Sequence, residues 1–534
     1  MYNGLKDYVR FLEEKGELRR ITEFVDPVLE IACATDIESK KAFGGKALLF
    51  ENTGTAYPVL TNMMGSEARI RYALGVDSLE GVSARIDALV DSVLGGRQGL
   101  RSKLKMLPLL SQAAKWAPRR HKGHAPCQDA VQYAAQLSQL PVLKCWPQDG
   151  GRFITLPLVH TVSPVTGVRN VGMYRMQVLD DATTGMHWHM HKTGAKHLSE
   201  CTHRLPVAVC LGGDPVYSYA ATAPLPEGID EYMLAGFLRG KPVELVKCFT
   251  QDLMVPADCD FVIEGYVQKS EEKFLEGPFG DHTGFYSLED LYPKFHVTCI
   301  THRLDAIYPA TVVGIPPMED KYIQEATEKI FLSPIKLAIV PELDDLYLPE
   351  EGVGHNFAIA KIHKQYEGQA FKVANALWGA GQMMFNKFLV VVDEDIDIRN
   401  WDAVSDAVAR NVDVSRDLLF SRGPLDVLDH AAPMTGFGSK LCIDATRKAM
   451  VYTDRKIERV VRVLYDSGEK NASRYRKIWL LGANCDPLRD GRVGDHLILD
   501  ARTKRDMPGF KRRWPDIVAH DPDMVARMKE LLKD

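Results

Sequence analysis

Between about Pro126 and Pro317 the chain is cut into short β-rich segments, among them Val207-Ala208-Val209-Cys210-Leu211 and Phe261-Val262-Ile263-Glu264-Gly265-Tyr266-Val267. Gly-Asp-Pro, Pro-Glu-Gly and Gly-Pro-Phe-Gly turns separate them. Turn residues at that density leave little room for long helices, and short strands at such spacing predict a barrel-like β domain. The flanks have another rhythm. Upstream, Leu5, Tyr8, Val9 and Leu12 recur at helical spacing before Gly16, and the apolar runs Ala47-Leu48-Leu49-Phe50 and Pro58-Val59-Leu60 precede a helix near Ile86 to Val93. Downstream of Lys321, a helical stretch from Ala370 to Met384 feeds the strand Phe388-Leu389-Val390-Val391-Val392. The 534 residues exceed one ordinary hydrophobic core, and 46% hydrophobic content fills two or three. The expected fold class is therefore α/β multidomain: an N-terminal α/β domain over 1–115, a central β-barrel domain over 116–320 and a C-terminal α/β domain over 321–534.

The bulk numbers exclude more than they assign. A net charge of -5 gives no basic field for nucleic acid. Ten scattered cysteines without a C-x-x-C pair argue against a zinc ribbon or a disulfide framework, and suit small buried hydrophobes. The first residues carry no apolar signal core and no apolar run reaches a membrane span, so a cytoplasmic location is the default expectation. Eight Lys or Arg between Arg97 and Lys122 read as a solvated interdomain linker, with peripheral contact to an anionic membrane as the alternative. Near the C-terminus, Gly438-Ser439-Lys440-Leu441-Cys442-Ile443-Asp444-Ala445-Thr446-Arg447-Lys448 is echoed by Gly494-Asp495-His496-Leu497-Ile498-Leu499-Asp500-Ala501-Arg502-Thr503-Lys504, two similar strand-turn units. Asp521 and Pro522 open a last helix through Val525, Met528, Leu531 and Leu532, fit for a subunit contact.

Glycine-rich phosphate loops, the G-x-S-x-G elbow and H-E-x-x-H are all missing. Four clusters in the central domain carry chemistry instead. In Asn170-Val171-Gly172-Met173-Tyr174-Arg175-Met176-Gln177-Val178, an amide and a guanidinium interrupt a buried-looking strand, and a buried Arg requires a carboxylate. In Thr184-Gly185-Met186-His187-Trp188-His189-Met190-His191-Lys192, strand periodicity places three imidazoles on one face, a pattern suited to a borderline metal. Asp230 and Glu231 start a helix, where dipole complementation explains them without function. In Leu275-Glu276-Gly277-Pro278-Phe279-Gly280-Asp281-His282-Thr283-Gly284, a tight turn brings two carboxylates to one mouth, where mutual repulsion and burial would keep one protonated.

Taken in order, these clusters resemble the UbiD family of decarboxylases, which bind prenylated flavin mononucleotide. Leu12-Glu13-Glu14-Lys15-Gly16-Glu17-Leu18-Arg19-Arg20-Ile21 and Ala47-Leu48-Leu49-Phe50-Glu51-Asn52 are similar to the family's opening, as are Ala432-Pro433-Met434-Thr435-Gly436-Phe437-Gly438-Ser439-Lys440 and Ile443-Asp444-Ala445-Thr446 to its C-terminal part. The resemblance implies a central split β-barrel of the flavin-binding kind and a C-terminal domain used for oligomerisation. It implies that Asn170, His191 and Glu231 hold a divalent cation, usually Mn²⁺, bridging to the flavin phosphate, with K⁺ nearby; hard oxygen donors plus one imidazole suit that ion better than zinc. The flavin would lie against Met173, Tyr174, Arg175, His187, Trp188 and His189, with Lys192 and Thr193 near its phosphate. Arg175, Glu276 and Asp281 match the family's acid–arginine–acid set, with Asp281 as proton donor and Glu276 as its coupled partner.

The implied reaction is non-oxidative decarboxylation of a hydroxylated aromatic acid, a ubiquinone or menaquinone precursor of the polyprenyl-4-hydroxybenzoate or hydroxynaphthoate type. The alternatives are a simple phenolic or heteroaromatic acid and, from other classes, a flavin-binding protein without turnover or a zinc hydrolase built on His187, His189 and His191. A UbiX-type flavin prenyltransferase would supply the cofactor, and a homo-oligomer, dimer or hexamer, is expected. The second echo and Phe510-Lys511-Arg512-Arg513-Trp514-Pro515 extend past the Ile443-Asp444-Ala445-Thr446 motif, which sets the chain apart from the common quinone-pathway members.

Overall fold

A computed structural model of the chain describes residues 2–94, 115–226, 228–448 and 451–533, so most of the basic linker and its possible membrane face lie outside the described residues. The residues divide into two compact units: Met1–Ile323 with Ile517–Asp534, and Gln324–Asp516. The last residues thus belong with the first unit rather than with a C-terminal domain over 321–534. The reason is packing: helix Pro522–Leu531 lies on helix Glu30–Ser39, burying Met528 and Leu532 in one cluster with Ile31 and Ala34. No described helix is long and apolar enough to cross a membrane.

The opening helix runs Leu5–Glu14 and buries Leu5, Tyr8, Val9 and Leu12, the four residues its periodicity marks. A four-stranded sheet follows, ordered Leu18–Phe24, Ala47–Asn52, Val59–Thr61 and Tyr308–Pro309. The last of these strands arrives from the far end of the β-rich region, which ties that region into the same unit.

The β-rich region forms an antiparallel sheet ordered Thr183–Gly185, Lys294–His302, Phe261–Gln268, Arg204–Leu211, Leu158–Val162 and Arg169–Met173, with Ala130–Gln132 also paired to Lys294–His302. Its central strands are buried on both faces, so their apolar runs are continuous rather than alternating. The expected closed split barrel is absent among the described pairings. After Met173 the chain leaves the sheet, and Met176–Gln177 pairs instead with Phe153–Ile154, so the two outer strands are not joined to each other. All ten cysteines are buried and unbridged, as expected of small core residues; burial pushes the thiols of Cys210 and Cys259 upward, which leaves them unreactive.

In the second unit the faint echo proves to be the end of a larger duplication. Strand Phe388–Asp393, helix Trp401–Asn411 and strands Leu418–Pro424 and Phe437–Asp444 recur as Val461–Leu464, Arg474–Asn484, Gly491–Val493 and Leu497–Asp500. In each copy the first strand is parallel to the last and the third antiparallel to it. The polar contacts repeat as well. Asn411 donates to the Ala445 carbonyl at 2.9 Å and Asn484 to that of Ala501 at 3.1 Å. Arg416 grips Asp417 and Arg489 grips Asp490. Lys448 and Lys504, each 3% exposed at the side chain, stand 3.6 Å from Asp417 and Asp490. The helix expected over Ala370 to Met384 is broken after Trp378, where Gly379 ends Gln369–Trp378 and a 3₁₀ turn, Gly381–Phe385, follows.

Because each buried ammonium neutralises acids that cannot reach water, Lys448→Met and Lys504→Met should each cost about 3 kcal/mol. Urea unfolding should give the two similar losses; a loss confined to one of them would show that the copies are not energetic equivalents.

Candidate active site

The acid turn, residues 277–287, is fixed from several sides. Gly277 N donates to Gln177 Oε1 at 2.9 Å and Gly280 N to Asp149 Oδ1 at 2.7 Å. Gly150 N donates to the Pro278 carbonyl at 2.7 Å, and Ser287 N to that of Phe279 at 2.7 Å. Gly150 approaches so closely that a Cβ there would sit 2.1 Å from the Gly277 carbonyl oxygen. Glu276 ends the short strand Phe274–Glu276, paired with Asp290–Tyr292.

Arg175, in the irregular step after strand Arg169–Met173, reaches into this turn. Its Nε stands 2.9 Å from Glu276 Oε1, Nη1 bonds Asp281 Oδ2, Nη2 lies 3.3 Å from Ser287 Oγ, and the guanidinium covers the Phe279 ring at 4.7 Å. The carboxylate partner that a buried arginine demands is thus two carboxylates. His187 Nδ1 meets Glu276 Oε1 at 2.8 Å, and its ring packs on Tyr292 at 4.3 Å. Asp281 Oδ1 accepts from the His282 amide at 2.8 Å and from His282 Nδ1 at 3.0 Å.

This geometry corrects the expected electrostatics. Burial is the largest influence on both acids and by itself raises them, but the Arg175 charge, with hydrogen bonds from His187 on Glu276 and from His282 on Asp281, outweighs it. Both carboxyls therefore titrate below their usual range, and neither is held protonated by the other. Burial and the same guanidinium push the His187 imidazole down, so it is neutral at pH 7. Glu276 Oε2 is buried and has no hydrogen-bond partner among the described residues, so one lone-pair face of the carboxylate is unsatisfied.

The three histidines do not stand on one strand. The strand Thr183–Gly185 stops short of them; alternation persists through buried Met186 and Trp188, with His187 and His189 half-buried, and breaks at the Met190–His191 turn closed by Lys192 N on the His189 carbonyl. Their rings form a chain with centroids 6.1 and 6.0 Å apart. Among the described residues, no three His, Cys, Asp or Glu side chains converge as a metal cluster would, which removes the basis for a three-histidine zinc hydrolase.

Glu231 meets the strand at the residue after Asn170. Val171 N donates to Glu231 Oε2 at 3.0 Å, and Glu231 opens helix Glu231–Arg239 beside its N-cap Asp230. Arg169 is committed to Asp230, so Glu231 is served mainly by backbone amides, and burial pushes it up to about 7. A half-buried carboxylate so poorly compensated suits a bound cation. Asn170 Nδ2 lies 3.3 Å from the Tyr174 hydroxyl, which also bonds the backbone of Gly194 in helix Thr193–Glu200. Lys192 occupies the N-cap of that helix without a side-chain cap bond, an arrangement suited to a phosphate. Trp188 packs edge-on to Tyr174 at 6.3 Å, its buried Nε1 without a partner. Met173 ends its strand half-buried, and His191 is exposed. Sequence reasoning missed Ser287 and Asp149; neither stands in a motif, and only the fold of the turn brings them to the acids.

An arginine held between two buried acids stands beside an antiparallel β sheet in these residues, and the class of the protein follows from its relatives. Residues 9–89, 119–316 and 321–445 match the N-terminal, Rift-related and C-terminal domain models of 3-octaprenyl-4-hydroxybenzoate carboxy-lyase, and the chain belongs to this UbiD family of carboxy-lyases. An uncharacterized protein of Aquifex aeolicus is 47% identical over 451 residues, 84% of this chain and 92% of that one. Among solved structures, vanillic acid decarboxylase of Sedimentibacter hydroxybenzoicus, in its closed form, is 28% identical with a TM-score of 0.72, covering 84% and 93% of the two chains. An evolved dimeric form of the UbiD-class enzyme HmfF from Pelotomaculum thermopropionicum, in complex with prFMN, is 28% identical with a TM-score of 0.68, covering 84% and 96%.

Arg175→Met should strip both acids of their counter-charge and cost about 3–5 kcal/mol at pH 7. In the native protein the depressed carboxyls contribute stability above their unfolded pKa, near 4, and lose it as pH falls through their folded values. In the variant, burial raises both acids, so the gap is full above their raised values, narrows as pH falls, and closes only below the folded values of the native protein. Thermal unfolding of both proteins between pH 3 and 8 should show the gap narrowing on acidification; a gap independent of pH would refute the clasp.

Proposed function

We propose that the chain is a prenylated-FMN-dependent decarboxylase of a simple hydroxylated aromatic acid, with Arg175, Glu276 and Asp281 as its reacting side chains. The observation that carries this reading is the shared guanidinium: one cation between two buried carboxylates, one of which keeps an unpartnered oxygen. The likeness to vanillic acid decarboxylase favours a phenolic acid over the polyprenylated hydroxybenzoate named in the family's description. The likeness to HmfF with prFMN supports the cofactor.

When bound, prenylated flavin supplies the electron sink that accepts the pair left by departing CO₂. Met173, Tyr174, Arg175, His187, Trp188 and His189 would line it, with Lys192 and Thr193 at its phosphate. Asn170 and Glu231 would hold a divalent cation, Mn²⁺ by the chemistry of the donors, with His191 completing the set and K⁺ close by. Both sets fit the donors present: uncapped helix amides for a phosphate, and a poorly compensated, half-buried carboxylate for a cation.

Arg175 receives the substrate carboxylate, a bidentate partner in place of Asp281. Once that contact loosens, burial dominates the Asp281 carboxyl and raises its proton affinity, so the acid is loaded as the substrate arrives. Asp281 then delivers its proton to the carbon that has lost CO₂, while Glu276, held by His187, keeps the guanidinium aligned. The two acids titrate as a pair. A UbiX-type prenyltransferase would supply the cofactor, and we propose a homo-oligomeric assembly.

Protein co-expressed with the prenyltransferase and supplied with Mn²⁺ and K⁺ should release CO₂ from vanillate, 4-hydroxybenzoate or protocatechuate faster than from hydroxynaphthoates or cinnamates. Asp281→Asn and Glu276→Gln should each lower kcat by 10²-fold or more while the flavin spectrum persists. Glu231→Gln should instead lose metal and cofactor together. If loaded enzyme neither releases nor exchanges CO₂ with any acid, the function is that of a flavin carrier; if the acid variants turn over normally, Glu276 and Asp281 are not its reacting side chains.

A further inference from the structure

The acid turn is also held by the last stretch of the chain. Ile517 pairs with Phe285 in an antiparallel bridge, and Val518 N donates to the Gly284 carbonyl at 3.0 Å. Gly284 N in turn bonds the Asp281 carbonyl at 2.9 Å, and Asp281 N bonds that of Phe285 at 3.1 Å. The two residues gripped from outside are thus the two that close the turn carrying Asp281. Two positions on, the His520 ring stacks on Trp146, with centroids 4.1 Å apart and planes at 24°. Trp146 lies against Gly280, where a Cβ would come within 2.1 Å of its Cδ1, and Asp149 ties the Trp146 and Gly280 amides together at 2.8 and 2.7 Å.

Neither His520 ring nitrogen has a hydrogen-bond partner, and burial pushes the imidazole down to about 4, so it serves as a neutral flat surface. The segment is anchored from behind. Helix Pro522–Leu531 packs on Glu30–Ser39, Arg527 pairs with Glu30, and Arg19 donates to the Leu532 and Lys533 carbonyls at 2.7 and 2.6 Å. The segment and its helix lie beyond residue 445, where the family match stops.

We propose that residues 517–520 are a positioning strap for the proton donor: the Val518 amide and the His520 ring hold the turn that presents Asp281 to Arg175. The strap touches neither substrate nor cofactor. It rests on the assignment of Asp281 as donor, and it acts through the backbone of Gly284 and the indole of Trp146.

The test uses the full chain with Val518→Pro, which removes the donor, His520→Ala, which removes the stack, and His520→Phe, which keeps it. Arg527→Ala, which loosens the terminal helix without touching the turn, controls for stability. Hydrogen–deuterium exchange of the peptide covering 277–287 in unloaded protein should accelerate about tenfold in Val518→Pro and His520→Ala, and remain native in His520→Phe and Arg527→Ala. In loaded enzyme the same two variants should lower kcat about tenfold with KM within twofold, and move the acidic limb of the kcat–pH profile, whereas His520→Phe restores both. Unchanged exchange in Val518→Pro and His520→Ala, or a His520→Phe variant as impaired as His520→Ala, overturns the strap. Should no acid be decarboxylated at all, the functional reading fails, and the exchange data still decide whether the strap exists.

Discussion

One guanidinium shared by two buried carboxylates is the contact on which the site depends. Arg175, Glu276 and Asp281 come from an irregular step after one strand, the end of a second, and a glycine-proline turn, and each would be costly to bury without the others. With His187 neutral, the cluster carries one negative charge in excess. That excess makes the arrangement chemically poised: an arriving carboxylate competes for the one cation, and the acid it displaces is left in an environment that favours its neutral form. In the proposed reaction the proton-donating state is thus created by the ligand. An apolar trio would be more stable and chemically inert, so the buried charge reads as a functional expense.

Much of this was legible in the chain, but unevenly. The glycines and proline around residue 278 announce that Glu276 and Asp281 share a turn, and the buried-looking run around Arg175 announces a need for acid. Composition and spacing alone do not convey that these requirements satisfy each other, because about a hundred residues separate them; only the family resemblance groups the three. Treated alone, the two acids predict mutual repulsion and a raised pKa; with Arg175 between them the sign reverses. The histidine strip fails for a different reason. Its period-two alternation is real as far as His189, but alternation describes which way side chains point and not whether a hydrogen-bonded ladder exists, so His191 falls into a turn. The open central sheet is of the same kind: short strands and their spacing were readable, whereas closure depends on where the chain goes after Met173.

The C-terminal region shows how weak sequence likeness can conceal a strong structural one. Only the strand-turn ends of the two copies resemble each other by eye, since the rest is preserved as contacts: an asparagine on a carbonyl, an arginine on an aspartate, a lysine buried over both. Buried charge tolerates little change, which accounts for the same polar contacts standing in both copies.

The copies differ most in the connection between their last two strands. In the first it is a loop over 425–436, with Met434 62% exposed; in the second it is a short turn over 494–496. Residues of the second copy and the stretch after it hold the long loop of the first. Arg489 donates to the Ala431 carbonyl at 2.7 Å, Arg512 to those of Asp429 and Ala432 at 2.7 and 2.9 Å, and His430 is fixed between Asn484 and the Trp514 ring. A loop whose own carbonyls are capped by two arginines keeps its shape while exposing apolar side chains at its tip. The duplicated module has therefore given up a loop of its own and become the support of its twin's.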